Sequence, residues 1–338
     1  MASGDTPAAR LRSVAERSIR ERYFFWDWGE AIVTKGLLAA GAALGEPEFY
    51  RWVSRTIDRW IERSPQPFWP DHLGPGDALL DYWERSRQEH LLAFAIALGH
   101  HFERLPRAST GAPLNRADKP DLAHTVWVDS IHTDGPFLAR LGDATGDARW
   151  WHLAAEIVHG QVASLQDPTG GLFAHAYTDT DRRTNGIFWT RGCGWAALGL
   201  AETLRWLPRD HPGAPRIERA LRELVSSLSA RQADDGHWPI VANEPTAPRE
   251  SSASALIAEA VSIGLMAGVL DPGFAAVRDR AWVALAAAVR DGVVLGASER
   301  QPVSSDPTGY AKRAIGGCHA YAQGAWLLIA SRMLHGSG

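Results

Sequence analysis

Cysteine is almost missing from this chain: its 338 residues hold only Cys193 and Cys318, with no Cys-x-x-Cys pair. That excludes a zinc knuckle, a dithiol redox motif and a multi-bridge framework. A bridge between the two is not implied, and both read as buried thiols. A surplus of basic charge is missing too, with 35 Lys plus Arg against 39 Asp plus Glu and a net charge of −4. Nucleic-acid binding, which usually needs a basic face, is therefore not expected. No stretch is long and apolar enough to span a membrane. The opening residues Met1 to Arg10 lack an apolar core, so no signal peptide is read and a cytoplasmic location is expected. The 13 His are scattered, no helical His-Glu-x-x-His occurs, and no metal is expected. Sustained alternation of β-branched residues is also lacking, which argues against an extended sheet.

What is present is helical pattern and tryptophan. The chain is 45% hydrophobic and 22% charged, enough for a full core. Ala31 to Leu44 is apolar almost throughout, whereas Glu48 to Glu62 places Phe49, Val53, Ile57 and Ile61 about one turn apart. Gly45-Glu46-Pro47 between them stops one helix and starts the next. The same unit recurs about Gly142–Asp147, Pro208 and Asp271-Pro272-Gly273, at a period of roughly fifty residues. About seven such hairpins would fit the chain, and six close a ring. The expected fold is all-α, an (α/α)6 barrel spanning 1–338 as a single domain. Its first twenty or so residues form a peripheral arm or an outer helix, and an open solenoid is the alternative. The loops Arg107–Leu122, Asp167–Phe188, Asp234–Ser254 and Ser304–Gly317 all precede apolar helices, so a toroid gathers them on one rim.

The most informative stretch is Trp127-Val128-Asp129-Ser130, followed by Gly135-Pro136-Phe137-Leu138. It sets a carboxylate in an apolar segment. Such a group must be paired, hydrogen-bonded or protonated, and a protonated carboxyl is a proton donor. An Asp before a helix is also an ordinary cap. Sixty residues on, Trp189-Thr190-Arg191-Gly192-Cys193-Gly194-Trp195 supplies two indoles and a guanidinium. An acid, a cation and aromatic walls are the parts needed to hold and protonate an anionic sugar. Fifteen Trp residues suit sugar stacking as well as core.

These motifs resemble the unsaturated glycuronyl hydrolases of glycoside hydrolase families 88 and 105, with 105 the nearer. Trp26-Asp27-Trp28-Gly29, the Asp129 segment, Gly171-Leu172-Phe173-Ala174-His175-Ala176, Trp189 to Trp195, Asp235-Gly236-His237-Trp238, Glu250 to Ser254 and Ala320 to Ala325 follow the family's order over nearly the whole chain. The resemblance implies an (α/α)6 barrel and hydration of the C4=C5 double bond that polysaccharide lyases leave on a terminal uronate. The resulting hemiketal opens and releases the neighbouring sugar, and no cofactor takes part. It also implies Asp129 as the catalytic acid, with Trp28, Lys119, His175, Trp189, Arg191 and Trp195 binding substrate. Arg191, flanked by indoles, is expected to grip the substrate carboxylate in bidentate fashion.

Two departures from the family pattern stand out. Cys193 replaces an Asn, which loses or moves one polar contact. The family's second Asp falls in the segment Asp81 to Leu92, where Glu84 is expected to stand in as partner of Asp129. The expected binding partner is a small oligosaccharide with an unsaturated uronate end, and a homodimer is left open. Two alternatives stay alongside: another α/α-toroid carbohydrate enzyme, such as an epimerase or conventional glycosidase, and a catalytically altered sugar-binding relative.

Overall fold

The computed structural model describes residues 6–23, 25–63 and 73–335. The inner helices are α2 (Trp28–Leu44), α4 (Gly74–Ser86), α6 (Ser130–Thr145), α8 (Thr190–Trp206), α10 (Ser251–Met266) and α13 (Ala320–His335), with α2 and α10 formed from nearly continuous apolar segments. Every residue of Thr190–Thr203 and of Ser251–Gly264 is buried, as a helix touched on all sides requires. The outer helices are α1 (Pro7–Arg20), α3 (Pro47–Arg63), α5 (Glu89–Phe102), α7 (Ala148–Leu165), α9 (Ala214–Ser229) and α11 (Ala275–Ala287), with α1, α3 and α9 plainly amphipathic. On α3, Phe49, Trp52, Val53, Thr56, Ile57 and Trp60 form a buried stripe at three- and four-residue spacing, with charged residues outside.

Each inner helix packs on the next, and α13 returns to α2, so the ring closes as an α/α toroid. Among the described residues six hairpins complete it, the number expected to close a ring, and the long loops take up the remaining length. The first twenty residues supply an outer helix: α1 packs against α13 and α2, so one hairpin joins opposite ends of the sequence. Close approach at the seams needs glycine. A Cβ on Gly324 would lie 2.5 Å from the backbone of Ile32, and one on Gly199 would lie 2.4 Å from the carbonyl of Ile131.

The Gly-Pro after Asp129 does not separate a loop from a helix. Helix α6 begins at Ser130 and runs through Pro136. Proline costs one intrahelical bond, yet the segment is buried against its neighbours and stays helical. The only sheets among the described residues are small and local: β1 (Thr125–Trp127), β2 (Ala176–Thr178) and β3 (Arg183–Thr184) form one, and two two-stranded ribbons the others. No described helix is long and apolar enough to cross a membrane. Both cysteines are free; Cys193 is buried and directs its thiol at the Phe173 carbonyl, 3.3 Å away. Burial pushes that thiol up to about 12.

Candidate active site

The four long loops lie at the N-terminal ends of the inner helices, and a short ladder sets the geometry there. Val126 pairs with Tyr177 and Trp127 with Ala176 across the antiparallel β1–β2 edge, and Val128 N–H donates to the His175 carbonyl at 3.0 Å. Asp129, just after one strand, thereby faces His175, just before the other. Their side chains stand 3.7 Å apart, Nε2 to Oδ2. Asp129 holds the N-cap position of α6 but its carboxylate makes no cap bond. Asp27 and Asp147, in the same position on α2 and α7, both do. Capping does not account for Asp129.

Aromatic rings surround this pair. Trp189, at the N-cap of α8, lies 4.6 Å from His175. Trp28 stacks on Tyr321 at 5.2 Å and meets Trp195 edge-on at 5.6 Å. Trp195 stacks in turn on His132, one turn below Asp129. Burial pushes the His132 imidazole down to about 4, which keeps it neutral at ordinary pH. The indole N–H groups of Trp189 and Trp195 are buried without a partner. Of the expected binding residues, Trp28, His175, Trp189 and Trp195 are thus brought together. Lys119 stays exposed at the start of the turn Pro120–Leu122, on the loop leading to β1.

Arg191 is not free to grip a ligand carboxylate. Its guanidinium has no exposed surface and lies between the Trp189 and Tyr321 rings, at 4.6 and 4.5 Å. Nη1 donates to Glu250 Oε1 at 3.1 Å and to the Ser298 carbonyl at 2.8 Å, and Nη2 to the Glu299 carbonyl at 2.7 Å. Both arms of the fork are taken by the protein. Those partners lie 59 or more positions away in sequence, which is why Arg191 looks available in its motif.

Arg191 fastens the 298–300 segment, and this segment presents a cation that the sequence reading missed. Arg300 extends over the Trp28 ring at 5.2 Å, pairs with Asp27 at 2.6 Å, and keeps 61% of its side chain exposed. Beneath it, Glu30 is buried with Oε2 unpartnered. Burial, reinforced by Asp27, pushes its carboxyl up to about 7. Arg300 sits in a loop without periodicity or motif, and no signal in the sequence marks it.

Glu84 is not the partner of Asp129. It occupies the last turn of α4, and Arg140 binds its two oxygens at 3.1 and 2.9 Å. Arg140 is 11 positions beyond Asp129 on α6, about 16 Å along a helix. Both helices start at the loop end, since Gly74 on α4 packs against Thr133 and Trp28. Glu84 therefore lies at the far end of the barrel. Between the two ends runs a buried ionic network. Lys35 reaches Asp77 at 2.5 Å and Glu202 at 2.7 Å, and Arg140 reaches Asp77 at 3.2 Å and Asp81 at 2.9 Å. Burial opposes the charge on both Lys35 and Asp77, but their opposite charges outweigh it, holding the amine above and the carboxyl well below their usual values. Among the described residues no group of three or more His, Cys, Asp or Glu side chains is placed to hold a metal ion.

A model of Glycosyl Hydrolase Family 88 matches residues 11–336. Unsaturated rhamnogalacturonyl hydrolase YesR of Bacillus subtilis is 26% identical over 259 residues, covering 75% of this chain and 75% of its own. An unsaturated 3S-rhamnoglycuronyl hydrolase of an Alteromonas species is 27% identical over 62% of this chain and 51% of its own. Among solved structures, a Salmonella enterica protein described as a possible GH105 member superposes with a TM-score of 0.91 at 16% identity, covering 100% of this chain and 96% of that one. The unsaturated glucuronyl hydrolase of Bacillus sp. GL1 gives 0.78 at 18% identity, covering 97% and 95%.

Proposed function

Because the chain belongs to glycosyl hydrolase family 88, we propose that the loop end of its barrel is the active site and that Asp129 is its general acid and base. The protein is a glycosidase acting on oligosaccharides that end in an unsaturated uronic acid. In the proposed cycle protonated Asp129 gives its proton to C4 as the C4=C5 π bond breaks. Water adds its oxygen to C5 and yields a proton to the Asp129 carboxylate, restoring the acid. The hemiketal so formed opens to a ketone and releases the neighbouring sugar as an alcohol. Arg300, over the Trp28 ring, offers a guanidinium to the uronate carboxylate.

One observation carries the reading: a carboxylate in the helix-cap position that caps nothing, side by side with an imidazole in an aromatic enclosure. A conventional glycosidase needs a second carboxylate about 5–9.5 Å away. Of the other carboxylates described at this end, Asp27 is committed to Trp28 N–H and Arg300, Glu250 is committed to Arg191 and Ala253 N–H, and Glu30 lies buried beneath Arg300. The test follows the ultraviolet absorbance of the vinyl ether in an unsaturated disaccharide. Loss of the band with release of the second sugar is expected. A stable band across unsaturated uronides of differing linkage would sink the proposal.

A further inference from the structure

Tyr310 lies in the last long loop, and its role is not evident from that position. It is fully buried, on the short helix α12 (Pro307–Ala311), and Asp306 caps that helix at Thr308 N–H. Its hydroxyl is 2.6 Å from Nδ1 of His175, the shortest contact either group makes. A His–Tyr bond can run either way, and the surrounding donors decide the direction. The phenol oxygen already receives Ser304 N–H at 3.3 Å and Asn185 Nδ2 at 3.4 Å. Asn185 cannot be turned around, because its Oδ1 accepts from the backbone N–H groups of Ala176 and Ile187, both at 3.3 Å. Nδ2 also donates to the Ser304 carbonyl at 2.8 Å, which pins the loop to β3's flank. A phenol oxygen has two lone pairs. With both engaged, a third donor from His175 Nδ1 would overfill it. The hydroxyl proton therefore points to Nδ1, and the 3.3 Å alternative to the Ser304 carbonyl is much the longer contact.

We infer that Tyr310 is a positioning residue: by donating to Nδ1 it fixes His175 in the tautomer that carries its single proton on Nε2, facing Asp129. This rests on the proposed active site only for its catalytic consequence. At 3.7 Å the Nε2–H and the Asp129 carboxyl do not spend their hydrogen bonds on each other. Both remain available to a sugar between them, as one donor and one acid at a set separation. The other tautomer would turn a bare lone pair toward Asp129 and leave a sugar between them without that donor. The backbone holds the ring from behind, with His175 N–H bonded to the Ile187 carbonyl and its carbonyl to Val128, and Trp189 covers one face. Orientation is thus set by the ladder and protonation site by Tyr310, a division in which the second partner of a histidine chooses which nitrogen works.

The experiment uses full-length protein with ¹⁵N-labelled histidine, the His175 ring signals being identified by their loss in His175→Gln. Wild type should show the Nε2–H pattern, and Tyr310→Phe a mixture of tautomers. With an unsaturated disaccharide, Tyr310→Phe should lower kcat about tenfold, the rate equivalent of one net hydrogen bond, with KM within about twofold. In a His175→Gln background the same substitution should cost nothing further. An Nδ1–H pattern for His175 in wild type overturns the inference by itself. So does an unchanged tautomer in Tyr310→Phe, or a kcat loss that persists undiminished when His175 is already Gln. An Nε2–H pattern in a wild-type protein that turns over no unsaturated uronide leaves the tautomer assignment standing and removes the proposed site instead.

Discussion

Asp77 and Asp129 are both acids on inner helices, and their surroundings are opposite. Asp77, in the barrel interior, is held by Lys35 and Arg140 and is fixed as a charge. Asp129, at the loop end, caps nothing, keeps some exposure and has only an imidazole at 3.7 Å. Each cation of the interior meets several carboxylates, Arg140 alone reaching Asp77, Asp81 and Glu84. At the loop end the groups left under-bonded include Trp189 Nε1, Trp195 Nε1 and the exposed arm of Arg300. Arg191 shows that location alone does not decide: it sits among site residues yet is bonded like the interior. Pairing with opposite charge marks the structural groups, Lys35, Asp77, Arg140 and Arg191, even where Arg191 Nε is left without a hydrogen bond, and Asp129 lacks such pairing with any Lys or Arg among the described residues.

This contrast can be broken most sharply at Asp129. Asp129→Asn should lower kcat by about 10²- to 10⁴-fold, the range for a general acid–base group, while the melting temperature holds, because no cap bond is lost. A melting temperature that dropped with activity would return Asp129 to the structural class. The mirror experiment is Lys35→Met. It strands Glu202 and leaves Asp77 with Arg140 alone, and breaking a buried pair costs about 3–5 kcal/mol, read from denaturant unfolding. Partial recovery is expected when Asp77→Asn is added; no loss at all would mean that the interior network is not what holds the ring. Next comes Arg300→Ala. It should raise KM about tenfold for an unsaturated uronide and hardly at all for its methyl ester. Arg191→Lys should impair both substrates alike and lower stability, since its fork holds Glu250, Ser298 and Glu299 in place.

The smallest effect is expected from Glu30, a buried carboxyl raised to about 7 against an ordinary 4.5. The unfolded chain loses this proton near 4.5 and the folded chain keeps it until about 7, so folding stability falls as pH rises through that window and stays lower above it. Glu30→Gln should match the native protein in thermal melts at pH 4 and exceed it at pH 8. The gain is bounded by about 3 kcal/mol for a shift of this size. A variant less stable at pH 8 would show that the charge at Glu30 is wanted by Arg300 more than burial opposes it.

Periodicity and turn residues carry most of the fold. Gly45 adopts a left-handed cap at φ 68°, and Pro47 opens α3, as the Gly-Glu-Pro spacing predicts. Pro136 lies inside α6 because burial on all sides outweighs its local tendency to break a helix, and one sequence does not display that burial. The aromatic cluster is legible because each member sits within a few residues of a helix start, where motifs are dense. Glu84 is misplaced because α4 carries acids along its length, Asp77, Asp81 and Glu84, and pattern alone does not say which end faces the loops. Tyr310 and Arg300 escape notice because loop residues obey no period, and what gives each its role is a partner more than a hundred positions away.

The hairpin built from α1 and α13 bears on the order in which the molecule forms. Gln323 reaches Ser18 across 305 positions, and Arg10 reaches the Ala286 carbonyl across 276. The entropy of closing so long a loop grows only with the logarithm of its length, but contacts this distant form slowly. During synthesis the face of α2 that will receive α13 must wait, apolar and uncovered, a state prone to aggregation. Arg300, Tyr310 and Tyr321 arrive on that same late segment, so enzymatic competence in a refolding reaction should appear only when the ring shuts. The rise of activity then serves as a clock for the docking of the last helix.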